Sequence, residues 1–197
     1  MTARLGVAAT FAMGIIFAAA AGAVAANLTD GVRDVTVIQD ASGNGRILFR
    51  AGNVLSGLTE AAVSKALLTV SMSGEASART LPLRVHPVTT ESWTAGSVDW
   101  TAGWSRAGGD FDDEVFSAAE VNLARGGAAV VFDVTAILKE VIEAGMTADG
   151  FLLTVDPATG IGIPSADLGR FGTLSGATLE VTYRPLPAGL LARERDR

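Results

Sequence analysis

Lys65-Ala-Leu-Leu-Thr-Val-Ser-Met-Ser73 alternates along its whole length, with Ala66, Leu68, Val70 and Met72 on one side and Lys65, Leu67, Thr69 and Ser71 on the other. Successive side chains of an extended chain point to opposite faces, so this stretch is predicted as a half-buried antiparallel strand. Residues 74–78 turn the chain, and 79–88 repeat the pattern with Leu81, Leu83 and Val85 inward. The two segments read as a hairpin. Pro82 and Pro87 have no N–H for a ladder, which places the second strand at an edge or on a bulge.

Working outward, the same period marks 34–39, 46–50, 128–133, 151–155, 170–173 and 178–183, with a short strand at 98–100. Turn clusters such as Asp40-Ala-Ser-Gly-Asn-Gly45 separate them. Residues 58–63 suit a single helical turn. One longer helix is predicted at about 135–144, where Ile137, Leu138, Val141 and Ile142 make a one-sided apolar face. Thr135 is its expected N-cap and Gly145 its C′ residue. Short strands with turns at this spacing specify an all-β fold, a jelly-roll-like β-sandwich of about eight strands with one short helix.

The N-terminus is expected to be an export signal rather than part of the fold. Met1-Thr-Ala-Arg4 is a short basic segment, and the next twenty residues through Val24 carry no charge. Ala23-Val24-Ala25 offers small residues for a peptidase, with Ala26 an equally good end. The run is also long enough to be a retained membrane anchor. Residues 1–26 are thus assigned as a signal peptide, 27–183 as a single domain and 184–197 as a flexible tail. The expected location is periplasmic, extracellular or cell-surface, with no membrane span once the signal is removed.

There is no cysteine in the 197 residues, so no disulfide framework supports the core. Taking Arg4 from the 15 basic residues leaves 14 against 21 acidic ones, a formal charge of −7. A basic face is what nucleic acid or an anionic membrane requires, and this balance argues against both. The single histidine, His86, lies between Val85 and Pro87 in a strand and is expected on its surface. No G-x-S-x-G elbow accompanies it, and a zinc site lacks ligands. Catalysis is therefore not expected.

The landmarks from Ala66 to Tyr183 resemble the DNRLRE-domain family. Lys65-Ala-Leu-Leu-Thr-Val70 is similar to its A-x-L-x-L strand, and Glu91-Ser-Trp93 with Val98-Asp-Trp100 to its W-x-E-x-x-V-T-W segment. Gly108-Gly-Asp-Phe-Asp112 resembles its G-G-D-Y-D loop, and Phe132-Asp-Val-Thr135 its strand-to-helix junction. Asp149-Gly-Phe-Leu-Leu153 and Leu179-Glu-Val-Thr-Tyr183 resemble its later strands. Departures are Ala95 where the family has Glu and Asp99 where it has Thr. The resemblance implies a sandwich like that of carbohydrate-binding modules of exported surface proteins.

On that basis a non-catalytic module contacting polysaccharide is expected. The alternative is a structural or assembly subunit of a surface layer, matrix or filament, self-associating without sugar affinity. Trp93 and Trp100 suit a core role as large aromatics. Trp104, in a Gly- and Ser-flanked loop, is the expected stacking platform for a sugar, with Arg106 and Phe111 beside it. Asp110, Asp112, Asp113 and Glu114 form the densest acidic cluster and are candidate calcium ligands, though their spacing is not that of an EF-hand. The alternative is that this acidic loop is simply solvated.

Overall fold

The structure, a computed structural model, describes residues 25–51, 58, 62–74, 76–89, 93–124, 129–143, 150–155, 162–171, 174 and 177–184. Residues 1–24 of the expected signal peptide and all of the expected tail except Arg184 lie outside them, whereas Ala25 and Ala26 are described and Ala26 already belongs to a strand. Arg184 donates its N–H to the Ala62 carbonyl at 2.8 Å, so ordered pairing continues one residue past the last strand.

Among the described residues the elements run β1 (Ala26–Gln39), β2 (Gly45–Ala51), β3 (Val63–Ser71), β4 (Thr80–Pro87), β5 (Ser117–Asn122), β6 (Ala129–Asp133), α1 (Thr135–Glu143), β7 (Phe151–Thr154), α2 (Ser165–Phe171) and β8 (Thr178–Tyr183). The strands pair antiparallel in the order β5-β4-β7-β2-β1-β8-β3-β6. The fold is all-β. β1 turns the corner of the sandwich: residues 26–31 pair with β8 and the later ones with β2. A register shift between Arg33 and Thr36, with φ of 52° at Asp34, bends the strand there. One layer is therefore β6-β3-β8-β1, and the other is β1-β2-β7-β4-β5.

Period-2 patterning explains the core between the layers. Ala66, Leu68 and Val70 of β3, Leu83 and Val85 of β4, Ile47 and Phe49 of β2, and Leu179 and Val181 of β8 are all buried in one cluster. Phe49 stacks on Phe151 with centroids 5.7 Å apart. Ile137, Leu138 and Val141 turn the apolar face of α1 into the same cluster.

Several expectations need correction. β3 and β4 do not form a hairpin: β3 pairs with β6 and β8, β4 with β5 and β7. The connection crosses between layers and is tied down by Ser73 N–H on the Arg170 carbonyl at 2.7 Å and Ser77 N–H on Leu123 at 2.9 Å. β4 is also an interior strand without a bulge. Its prolines sit where one neighbour has run out. Val88 donates to Gly150 on the β7 side, so by alternation Pro82 faces that side too, beyond the β4–β7 pairing that begins at Arg84. Pro87 faces the other side, beyond the β4–β5 pairing that stops at Val85.

Arg170 and Phe171, expected in a strand, instead end α2, and residues 172 and 173 lie outside the described residues. Pro164 opens that helix, its carbonyl accepting from Asp167 and Leu168, and the buried pair Leu168 and Phe171 faces the core. Residues 98–100 are irregular rather than a strand, and the Val63 expected in a helical turn begins β3. β5 and the first half of β1 had no strong signal: Ser117-Ala-Ala-Glu-Val-Asn122 is poor in β-branched residues and only half-buried. The cap of α1 is Asp133, whose Oδ1 accepts the Thr135 N–H at 3.1 Å. The Thr135 hydroxyl instead accepts the Ala66 N–H at 2.9 Å, fastening the helix to β3.

Candidate functional site: a loop-covered sheet face and its cleft

Alternation that sends Ile47, Phe49, Leu83, Val85 and Leu153 inward sends Arg46, Leu48, Arg50, Arg84, His86, Leu152 and Thr154 to the outer face of the β2-β7-β4 layer. That face is not solvated. The long connection from β4 to β5 folds back over it, and Ile38, Leu48, Val88, Trp93, Phe111 and Leu152 form a second small core beneath. Connections this long without regular structure are uncommon and often functional.

Arginines and aromatic rings hold the cover in place. Arg46, only 5% exposed, lies 4.9 Å from the Trp100 ring centre and 5.0 Å from that of Phe111. Its Nη1 donates to the Gly108 carbonyl at 2.7 Å. Arg50 stacks over Trp93 at 4.5 Å and donates to its carbonyl at 2.6 Å. Arg84 lies over Phe116 at 4.5 Å. Burial lowers the Arg46 pKa from its ordinary value, with Arg106 adding to the effect and Asp113 and Asp40 opposing it.

Gly108 and Gly109 make the close approach possible. At Gly108, with φ of 87°, a Cβ would stand 2.5 Å from Arg46 Nη1 and 3.1 Å from the Trp100 ring. Only a residue without a side chain fits there.

His86 is fully buried, which corrects its expected surface position: it is on the outer face, but the cover closes over it. Its ring meets Phe111 edge-on at 5.0 Å and Phe116 at 5.5 Å. Nδ1 stands 2.8 Å from the Asp112 carbonyl oxygen, so Nδ1 carries the proton and Nε2 is left without a hydrogen-bond partner. Burial lowers its pKa from the ordinary value, outweighing the Asp112 carbonyl and Asp113, which act the other way. No serine-and-carboxylate arrangement surrounds this imidazole among the contacts described.

The residues singled out in the sequence meet in this loop, but mostly as its internal fastenings. Trp104 is half-buried and its indole N–H is taken by the Asp99 carbonyl at 2.7 Å. Arg106 stacks on Phe111 at 4.3 Å, donates to the Phe111 carbonyl, and pairs with Asp113 at 2.9 Å. Phe111 is buried at 6% exposure. Asp110 accepts the N–H of Ser105 at 2.8 Å and of Arg106 at 3.0 Å, while Asp112 caps Glu114 at 2.8 Å. Glu114 is exposed. Asp110 and Asp112 serve separate turns and Asp113 pairs with Arg106, and among the described residues no three acidic or histidine side chains converge as metal ligands.

What opens to solvent is a neighbouring cleft of about 640 Å³. The β1–β2 turn supplies Gln39, Asp40 and Ser42 on one wall, and the loop supplies Asp99, Trp100 and Thr101 on the other. Asp40 shapes its turn by accepting the Ser42 and Asn44 N–H groups at 2.8 and 2.9 Å. Asp99 Oδ1 accepts from Thr101 N–H at 2.7 Å, Thr101 Oγ1 at 3.1 Å and Ala102 N–H at 2.6 Å. Those donors, the Ala102 and Thr101 N–H groups foremost, hold its carboxyl below the usual range. Trp100 is half-buried, backed by Arg46, and its indole N–H has no hydrogen bond among the described residues. Trp100 and Asp99 were not expected at a site. A tryptophan in a Val-Asp-Trp run reads as core, and only the fold brings it opposite residues 39–42.

No protein-family model matches the chain, and no curated protein does.

Proposed function

We propose that this protein is an exported, non-catalytic module that binds polysaccharide in the cleft between the β1–β2 turn and the loop over the outer face. The observation that carries the reading is Trp100: a half-buried ring, braced from behind by Arg46, lining an open cleft with its N–H unspent. An aromatic ring gives apolar contact to the C–H face of a pyranose, and a few fixed polar groups orient the hydroxyls. Gln39, Asp40, Asp99 and Thr101 supply those groups.

Further support comes from the ordered segments that resemble the DNRLRE-domain family, and from the all-β sandwich such modules share. For export, β1 begins its pairing with β8 at Ala26, so removal of residues 1–26 would cost only the end pair Ala26–Tyr183 among the described pairs. Among the described residues no helix is long and apolar enough to cross a membrane. For the absence of catalysis, the one imidazole is buried among Phe111 and Phe116 with Nδ1 tied to a carbonyl.

The test is affinity electrophoresis of the mature protein through gels containing a panel of polysaccharides. Wild type is retarded by at least one polymer, Trp100→Ala runs free, and Trp104→Ala stays close to wild type. Failure of wild type to be retarded by any polymer, with ordered polymers of the protein itself on electron microscopy grids, would establish the assembly subunit instead.

A further inference from the structure

Resting on that reading, we infer that the glycan taken by the Trp100 cleft carries no acid groups: it is a neutral or amino-bearing polysaccharide rather than a uronate or sulfated one. Two carboxylates face the cleft, Asp40 on one wall and Asp99 on the other, and among the described residues no lysine or arginine lines it. The nearby guanidinium of Arg46 is turned inward, 5% exposed, and its Nη1 is spent on the Gly108 carbonyl. Arg106 is engaged on its own loop with Asp113.

The unspent hydrogen-bonding capacity matches. Asp99 Oδ1 takes three donors, while Oδ2 has no hydrogen bond among the described residues. Asp40 Oδ1 takes two, and Oδ2 receives only a 3.4 Å contact from Asn44 Nδ2. The cleft therefore offers carboxylate acceptors to hydroxyl or ammonium donors, and one indole N–H donor for a ring or hydroxyl oxygen. A carboxylate or sulfate brought between Asp40 and Asp99 would meet like charge, with no cation among the described lining residues to offset it. The formal charge of −6 on the whole chain repels an anionic polymer in the same sense.

The experiment compares retardation of the mature protein at low ionic strength by barley β-glucan, galactomannan and glycol chitosan against alginate and polygalacturonate. Expected is binding to at least one of the first three at least about tenfold tighter than to either anionic polymer, from the like-charge penalty. Asp99→Asn keeps the Oδ acceptor that shapes the turn, so it should fold, and it should narrow that gap. Tighter binding of alginate or polygalacturonate by wild type would overturn this inference while leaving the cleft a glycan site. No retardation by any polymer would overturn both.

Discussion

Arg46 Nη1 donates to the carbonyl oxygen of Gly108 at 2.7 Å, joining a strand residue to a loop residue 62 positions later. That one bond, with the Trp100 and Phe111 rings on the same guanidinium, fixes the height of the loop above the sheet and with it the depth of the cleft.

Replacing Arg46 by Ala should therefore cost about 2–3 kcal/mol, the range of a buried hydrogen bond to a charged group plus a desolvated cation–π contact. Urea denaturation gives the number. Arg46→Lys should recover little of it, because an ammonium cannot stack between two rings and reach the carbonyl with the same planar geometry. Hydrogen exchange in residues 93–111 should rise in both variants more than in β3 or β8.

Gly108 and Gly96 both hold positive φ, 87° and 80°, but a Cβ at Gly96 would meet nothing within 4 Å. Gly96→Ala should lose about 1 kcal/mol from backbone strain alone. Gly108→Ala should lose at least about 1 kcal/mol more, since it also collides with Arg46 and Trp100. Equal losses in the two variants would mean that the contact beneath Gly108 contributes nothing.

His86 gives the fold a pH dependence of known sign. Its folded pKa lies below the ordinary 6.5 because burial disfavours the cation. The unfolded chain therefore binds the proton first as pH falls. Stability is full above 6.5 and declines below it, no more steeply than about 1.4 kcal/mol per pH unit for one proton, until the folded pKa is passed. As this is the sole histidine, the decline between pH 6.5 and 5 should vanish in His86→Phe. Asp99 and Asp133 have pKa values lowered by N–H and hydroxyl donors, so their contribution is lost only in stronger acid. Urea midpoints at pH 7.5 and 5.5 for the two proteins make the comparison.

Asp167, with 3% of its side chain exposed, pairs with Arg79 at 2.9 Å and Arg170 at 3.0 Å, holding α2 against the start of β4. Asp167→Ala should cost about 1–3 kcal/mol through lost charged hydrogen bonds. Arg79→Ala should cost less than about 1 kcal/mol, because more than half of that side chain is in water. Thermal melts of both variants test the ordering.

Much of the sandwich is legible from alternation alone. Ala66, Leu68 and Val70 are buried as their spacing requires, and α1 buries Ile137, Leu138 and Val141 as its periodicity requires. Layer assignment is not legible, because Lys65–Met72 and Leu81–Val85 alternate identically whether they pair with each other or face each other across a core. α2 is hidden by Gly169 in its middle and by a length of only seven residues. Within the loop over the outer face, the sequence draws attention to Trp104, Arg106 and Phe111 rather than to Asp99 and Trp100. Trp104, Arg106 and Phe111 look available in a polar, glycine-rich run, yet their polar atoms and rings are matched to partners a few residues away. Trp100 looks like core, and only the approach of the Asp40 turn makes it one wall of a cleft.

The most direct test follows the three indole N–H signals in a nitrogen-15 correlation spectrum while a neutral oligosaccharide is added. The Trp100 signal, whose donor has no partner among the described residues, should move most and saturate, with Trp93 and Trp104 changing little. Saturating shifts centred on Trp104, or indole signals that stay still while the sugar demonstrably binds, would place the ligand elsewhere and contradict the account.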